Sequence, residues 1–416
     1  MPKRERNLSQ LRPATRAVHG GERMDIRPAI PTVNPIHFST SYVFESSEDL
    51  DAVFVDPSAG YAYGRFGNPT VRALEEAMAA VENTEAAIAY PSGMAAINGV
   101  FTYLAKPGDH VVVSRDVYGA TLTLLNGHFT EMGIISHFVD ITDLAAVQAA
   151  AEEVKPKVIY AETISNPLIK IADIRGIVDI GRDCGAKVVI DNTFASPALI
   201  RPADLGADLV LHSTTKFLGG HGDVLGGVVS GGAEDVTGLR NIARINGAVP
   251  GPFDAWLCSR GLKTLFLRMR EHSANARKVV AWLQQDPRIE RVYYPGLEDD
   301  SLADQFLSDD RGGMVAFEVT GFGKEEAYRY LESLRLVEPA TTLGDVYSLS
   351  LYPAASSHRG LSPEQRADWG IGDNLLRLSI GIEDARDIIE DIDQALTAAT
   401  EATSAAESGR QELYVS

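Results

Sequence analysis

The stretch His212-Ser213-Thr214-Thr215-Lys216-Phe217-Leu218-Gly219-Gly220-His221-Gly222 has the residue types of an amine held beside an anion. It follows a strand-like stretch, Ala207–Leu211. A lysine at a strand end, flanked by small hydroxyls and followed by glycines, suits a Schiff-base amine next to a phosphate. A surface lysine in a Ser/Thr-rich turn would read the same way.

Five more segments bear on the choice. Val188-Val189-Ile190-Asp191-Asn192-Thr193 ends an apolar run on an acid, 25 residues before Lys216 (216 − 191). In a parallel sheet both residues lie at carboxyl strand ends, where ligands bind. A carboxylate there can keep a pyridine nitrogen protonated, so that the ring accepts electrons from a carbanion. The plainer reading of Asp191 is a turn or N-cap. Tyr90-Pro91-Ser92-Gly93-Met94-Ala95-Ala96 opens a helix of small residues, whose first amides make an anion site; many such turns merely cap helices. Tyr118-Gly119-Ala120-Thr121 offers an aromatic face for stacking, or a packed core tyrosine. In Tyr61–Thr70, Tyr63 and Arg65 can present a hydroxyl and a guanidinium to a phosphate, or sit in a solvated loop. Arg377 stands alone among apolar residues in Leu376-Arg377-Leu378-Ser379-Ile380. Burying it is costly without an anion, either a substrate carboxylate or a structural acid.

The elements that must position these groups are legible as period and punctuation. From 70 to 250, short β-branched runs (Val111–Val113, Val158–Tyr160, Val188–Ile190, Leu209–Leu211) alternate with helical stretches such as 143–153 and 173–184. Continuous apolar strands between helices predict a parallel sheet covered on both faces, an α/β domain of the doubly wound kind. A long helical stretch is expected over 252–284. Strand-like pieces at Met314–Val319, Ser348–Leu351 and Leu376–Ile380, with helices near 324–334 and 384–399, predict a smaller α+β domain. The expected organisation is an N-terminal arm over 1–65, an α/β domain over 66–270, an α+β domain over 271–400 and a flexible tail over 401–416.

The chain has 416 residues and a net charge of −19, which argues against a nucleic-acid or acidic-membrane partner. The basic opening (Lys3, Arg4, Arg6) lacks an apolar core behind it, and no run approaches a membrane span. The expected localisation is cytoplasmic. The two cysteines, Cys184 and Cys258, read as small apolar residues, and the scattered histidines make no metal spacing.

Taken together, in this order and spacing, the segments resemble the Cys/Met-metabolism family of fold-type I pyridoxal-phosphate (PLP) enzymes, from about residue 14 to 400. Glu162-Thr163 with Asn166-Pro167, Gly247–Pro250, Arg260–Leu265 and Tyr294–Leu297 extend the likeness. The resemblance implies a mostly parallel central sheet in a large domain plus a smaller C-terminal α+β domain. It implies pyridoxal 5′-phosphate as cofactor and an amino-acid substrate. Lys216 then holds the cofactor and shuttles protons, and Asp191 pairs with the pyridine nitrogen. Tyr118 stacks on the ring and aids the leaving group. Ser92, Gly93, Met94, Ser213 and Thr215 hold the phosphate, and Asn166 lies near the ring hydroxyl. Tyr63 and Arg65 reach a neighbouring subunit's phosphate, which implies shared active sites in a homotetramer built as a dimer of dimers. Tyr63 also contributes to substrate binding. Arg377 binds the α-carboxylate, with the Thr342 region closing over it. The implied chemistry is γ-elimination or γ-replacement on a substituted homoserine, of the cystathionine γ-lyase or γ-synthase kind, with methionine γ-lyase or O-acylhomoserine sulfhydrylase as alternatives.

Some positions depart from members of that family. Methionine γ-lyases carry a Cys at the place of Ala120 and a Lys-Asp pair near Ala243-Arg244. Cystathionine-cleaving members commonly carry a Glu at the place of Thr341 and often an Arg at that of Thr123. Ser356-Ser357-His358-Arg359 also differs from the usual Thr-His-Ala/Ser.

Overall fold

The computed structural model describes residues 10–21, 31–56, 59–297 and 301–414, with side chains up to 401. The basic opening therefore lies outside the described residues. The chain divides into two compact units. The first holds the chain up to Arg115, Ala120–Thr163 and Ala172–Phe266; the second holds Asp116–Gly119, Ile164–Ile171 and the chain from Leu267.

The first unit is built on seven strands: β1 (Ala86–Tyr90), β2 (His110–Ser114), β3 (Ile135–Val139), β4 (Val158–Glu162), β5 (Lys187–Asp191), β6 (Leu209–Ser213) and β7 (Gly227–Gly231). Their order is β1-β7-β6-β5-β4-β2-β3. All pairings are parallel except those of β7 with β1 and β6. Strands β4 and β5 are buried along nearly their whole length, which is why they read as unbroken apolar runs. Helices Leu144–Val154 and Ile174–Cys184 match the helical periodicity. Each starts on an aspartate cap, Asp143 and Asp173, whose carboxylate accepts first-turn amides.

The expected long helix over 252–284 is two helices, Pro252–Leu262 and Leu265–Leu283. The first ends where Gly261 meets the backbone of Leu218 and Gly219. A Cβ on Gly261 would lie 2.2 Å from the Gly219 carbonyl oxygen. The long stretch of the second unit starts at Leu267. The segments Asp116–Gly119 and Ile164–Ile171 depart from the expected division. They lie inside 66–270 by sequence but cluster with the second unit, because their contacts are made there.

The second unit carries β8 (Ile289–Tyr293), β9 (Met314–Val319), β10 (Glu338–Pro339), β11 (Leu349–Leu351) and β12 (Leu375–Ser379), in the order β10-β11-β12-β9-β8. Ile388, Ile392, Ala395, Leu396 and Ala399 recur at helical spacing and pack in one core with Val315, Phe317, Leu376 and Leu378. Their helix runs Ala385–Tyr414. Among the described residues no helix is long and apolar enough to cross a membrane.

Candidate active site

In the first unit the site residues gather at the carboxyl ends of β5 and β6. Lys216 lies three residues beyond β6, in a turn closed by bonds from the Lys216 amide to the Ser213 carbonyl (3.2 Å) and from the Gly220 amide to the Lys216 carbonyl (2.8 Å). Helix Pro252–Leu262 backs this turn: besides the Gly261 contact, the buried Cys258 thiol donates to Thr214 Oγ1 at 3.2 Å. Burial pushes that thiol up to about 12, so it stays protonated and apolar in character, as its sequence reading expects.

Asp191 ends β5 with 7% of its surface exposed. Tyr160 donates to its Oδ2 at 3.1 Å, and the Thr193 amide donates to its Oδ1 at 3.0 Å. Burial raises its pKa; Thr193's hydroxyl and amide, the nearby His212 and Tyr160 pull the other way. Among the described residues no lysine, arginine or histidine lies within ion-pair distance of it. A buried acid lacking a cation partner is what a protonated pyridine nitrogen would complete.

Thr193 carries no assigned role in the sequence reading, yet its hydroxyl donates to Asp191 Oδ1 and accepts the Ser213 amide at 2.9 Å. It thereby ties the ends of β5 and β6 together. The signal available was its place two residues after the acid, a common spacing for a hydroxyl turning back on a carboxylate.

The phosphate end fits as well. Ser92 caps helix Gly93–Leu104, its hydroxyl accepting the Ala95 amide at 3.1 Å. The preceding amides of Gly93 and Met94 have no acceptor within the helix. A Cβ on Gly93 would sit 2.8 Å from Ser213 Cβ, so only glycine lets the turn close against the Ser213 side chain. These groups, with Lys216 and Asp191, suit a phosphorylated pyridine aldehyde. Thr215 is less simply placed: its hydroxyl accepts the Gly226 amide at 3.1 Å. Arg65 donates to its own chain's Arg244 carbonyl at 2.7 Å and stacks over Phe66, with Tyr63 beside it and 46% exposed.

The second unit holds the remaining candidates. Leu376 and Leu378 face the core, so the alternation of β12 turns Arg377 to the opposite face. There Arg377, 3% exposed, donates from Nη1 to Asn166 Oδ1 at 2.8 Å and from Nη2 to the Thr342 carbonyl at 3.3 Å. Asn166, read from the resemblance as a ring-hydroxyl neighbour, is thus bonded to Arg377. Burial lowers the Arg377 pKa to about 10, and Tyr118 opposes the shift. No carboxylate lies within ion-pair distance among the described residues, and Nε has no hydrogen-bond partner. His358, 2% exposed, is held neutral: burial, then Arg377, lowers its pKa to about 4. Thr123, Thr341 and Arg359, where the sequence departs from family members, are exposed; Ala120 is half-buried.

A family model described as Cys/Met metabolism PLP-dependent enzyme matches residues 14–397. The chain belongs to this family. It is a PLP-dependent enzyme with the mostly parallel sheet of its relatives. L-methionine gamma-lyase of Pseudomonas putida is 42% identical over 92% of this enzyme and 97% of that protein. Cystathionine gamma-synthase of Mycobacterium tuberculosis is 43% identical over 92% and 96%. The crystal structure of cystathionine gamma synthase from Xanthomonas oryzae pv. oryzae in complex with aminoacrylate and cysteine superposes with a TM-score of 0.88. It is 38% identical, covering 94% of the enzyme and 99% of that chain.

Proposed function

We propose that this enzyme performs γ-elimination or γ-replacement on a sulfur- or oxygen-substituted homoserine, acting as a cystathionine γ-lyase or γ-synthase. The observation that carries the substrate class is Arg377: a buried guanidinium without a carboxylate partner among the described residues, suited to an amino acid's α-carboxylate. The bound cofactor supplies an electron sink for the carbanion at the substrate's α-carbon. Lys216 would hold that cofactor, and its Nζ could move protons between substrate carbons. Asp191 holds the proton on the pyridine nitrogen. Tyr118 would stack on the cofactor and assist the leaving group, and Asn166 and the Thr342 carbonyl orient Arg377. Gly93, Met94, Ser92, Ser213 and Thr215 take the phosphate.

A relative named O-succinylhomoserine sulfhydrylase, from Pseudomonas aeruginosa, is 41% identical over 92% of the chain, so replacement by a simple thiol is the competing outcome. Ala120 and Ala243-Arg244 speak against methionine as the preferred substrate. Self-association fits the exposed apolar side chains of Phe38, Val43, Phe54, Val55, Ile245 and Leu225 in the first unit. We assign the enzyme to a homotetramer in the cytoplasm, with Tyr63 and Arg65 turned to a neighbouring copy's phosphate.

Purified enzyme is to be offered methionine, cystathionine, cysteine, and O-acetyl- and O-succinylhomoserine with and without a thiol, with products weighed by mass spectrometry. Selective release or exchange of a γ-substituent is expected. Equal turnover of the whole panel refutes a preference for cystathionine, and amino transfer to a 2-oxo acid alone refutes the γ-chemistry. Borohydride reduction and peptide mapping should place the cofactor on Lys216; a label on any other lysine overturns that role.

A further inference from the structure

Two loops of the second unit are tied by an ion pair that the chemistry above does not use. Lys170 Nζ lies 2.8 Å from Asp116 Oδ2, with the Asp116 side chain 5% and the Lys170 side chain 29% exposed. A pair so shielded from water is screened far less than a surface bridge.

The loop that carries Lys170 is internally closed. An isolated bridge joins Ile164 to Ile171. The Ser165 amide donates to the Lys170 carbonyl at 2.9 Å, and the Lys170 amide donates to Ser165 Oγ at 3.1 Å. Asn166, which accepts from Arg377, therefore shares a compact turn with Lys170. On the other loop Asp116 is two residues before Tyr118. Gly119 follows, packed so that a Cβ would stand 2.4 Å from the Ser357 carbonyl oxygen. A continuous series of contacts thus runs from Arg377 through Asn166 and its turn to Lys170, then through Asp116 to Tyr118. Tyr118 itself is 46% exposed and lies close enough to Arg377 to act on its charge.

We propose that the Asp116–Lys170 pair is a positioning strut that fixes the ring of Tyr118 relative to the guanidinium of Arg377. The proposal rests on the reading that Arg377 takes the α-carboxylate. Substrate binding at Arg377 is set by Asn166 and Thr342 and survives loss of the strut. The aromatic cover over the reacting atoms does not, so the defect falls on turnover rather than on capture.

The test uses full-length enzyme with D116N, K170M, K170R and the reversal D116K/K170D. Displacement of a positioned group by about 1 Å costs on the order of 100-fold in rate. D116N and K170M should lower kcat by about 10- to 100-fold, with KM within roughly threefold and melting temperature within a few degrees. The reversal should recover kcat to within roughly threefold of wild type. An independent readout is the 19F resonance of 3-fluorotyrosine at position 118 in cofactor-free protein, assigned by Y118F. It should shift or broaden in D116N and K170M and return in the reversal. Wild-type kcat and an unchanged resonance in D116N and K170M would sink the proposal, as would a reversal that folds but is no better than K170M. If the reversal does not fold, K170R against K170M decides: K170R keeping kcat and the resonance supports the strut, and equal losses overturn it. An unaltered KM in R377M would remove the carboxylate reading while leaving the fluorine result to judge the strut.

Discussion

Replacing Arg377 with methionine separates a ligand-binding arginine from a structural one. In the folded protein burial lowers its pKa from 12.5 to about 10, so holding the charge there costs roughly 3 kcal/mol at about 1.4 kcal/mol per unit. Methionine removes that cost and fills similar space. It also strips the donors from Asn166 Oδ1 and the Thr342 carbonyl, at about 1–3 kcal/mol for each acceptor left buried. The terms nearly cancel, so the melting temperature of R377M should stay within about 4 °C of wild type. Catalysis has no such compensation. Two charge-assisted hydrogen bonds to a carboxylate are worth about 3–4 kcal/mol together, a loss of about 100- to 1,000-fold in kcat/KM. The assay is steady-state kinetics on whichever substrate of the panel reacts, beside thermal unfolding of the same samples. A loss of kcat/KM under tenfold combined with a melting drop above 10 °C would falsify the reasoning and make Arg377 a structural residue.

Thr193→Val removes the hydroxyl that donates to Asp191 and leaves the Ser213 amide without its acceptor; urea unfolding should show about 2–4 kcal/mol of lost stability, and the same stability as wild type would exclude this tie. Gly261→Ala forces a methyl group to 2.2 Å from the Gly219 carbonyl oxygen beneath the Lys216 turn; about 1–3 kcal/mol should be lost, with faster loss of cofactor on dialysis, and unchanged retention counts against the turn depending on that helix. His358, with a pKa of about 4 in the folded state against about 6.5 unfolded, makes the unfolded chain the greater proton binder between those values. Stability from this residue is therefore full above pH 6.5 and falls as pH drops towards 4, by roughly 3 kcal/mol. His272, also near 4 by burial, acts in the same direction. Urea midpoints at pH 7 and 5 should differ less in His358→Gln than in wild type; identical slopes contradict the assignment.

Much of the site was legible because local pattern carries it. Strands β4, β5 and β6 announce themselves as apolar runs, and Asp191 and Lys216 follow from their places at or beyond the ends of such runs, flanked by small hydroxyls and glycine. Ser92-Gly93 is legible for the same reason, since an N-cap and a tight glycine are local choices. The lone Arg377 in an apolar strand could be read as an anion receptor or an ion-paired structural residue. The absence of an acidic partner among the described residues is a property of the folded neighbourhood, and it favours the first reading.

Other features have no local signature. Thr193 bridging two strand ends, Tyr160 donating to Asp191, and Asn166 turned onto Arg377 join residues 20, 31 and 211 positions apart. Asp116 and Lys170 are unremarkable charges in sequence, and their loops look like parts of the α/β domain. Periodicity determines which face of a strand or helix is buried, so the sequence by itself determined the layers, the strands and the types of group at their ends. Which side chain meets which across 50 or 200 residues is decided only when loops close and desolvate their contacts. Tertiary structure therefore settled the partners of Asp191 and Arg377, the two-helix break at Gly261, and the allegiance of the Tyr118 and Asn166 loops to the second unit.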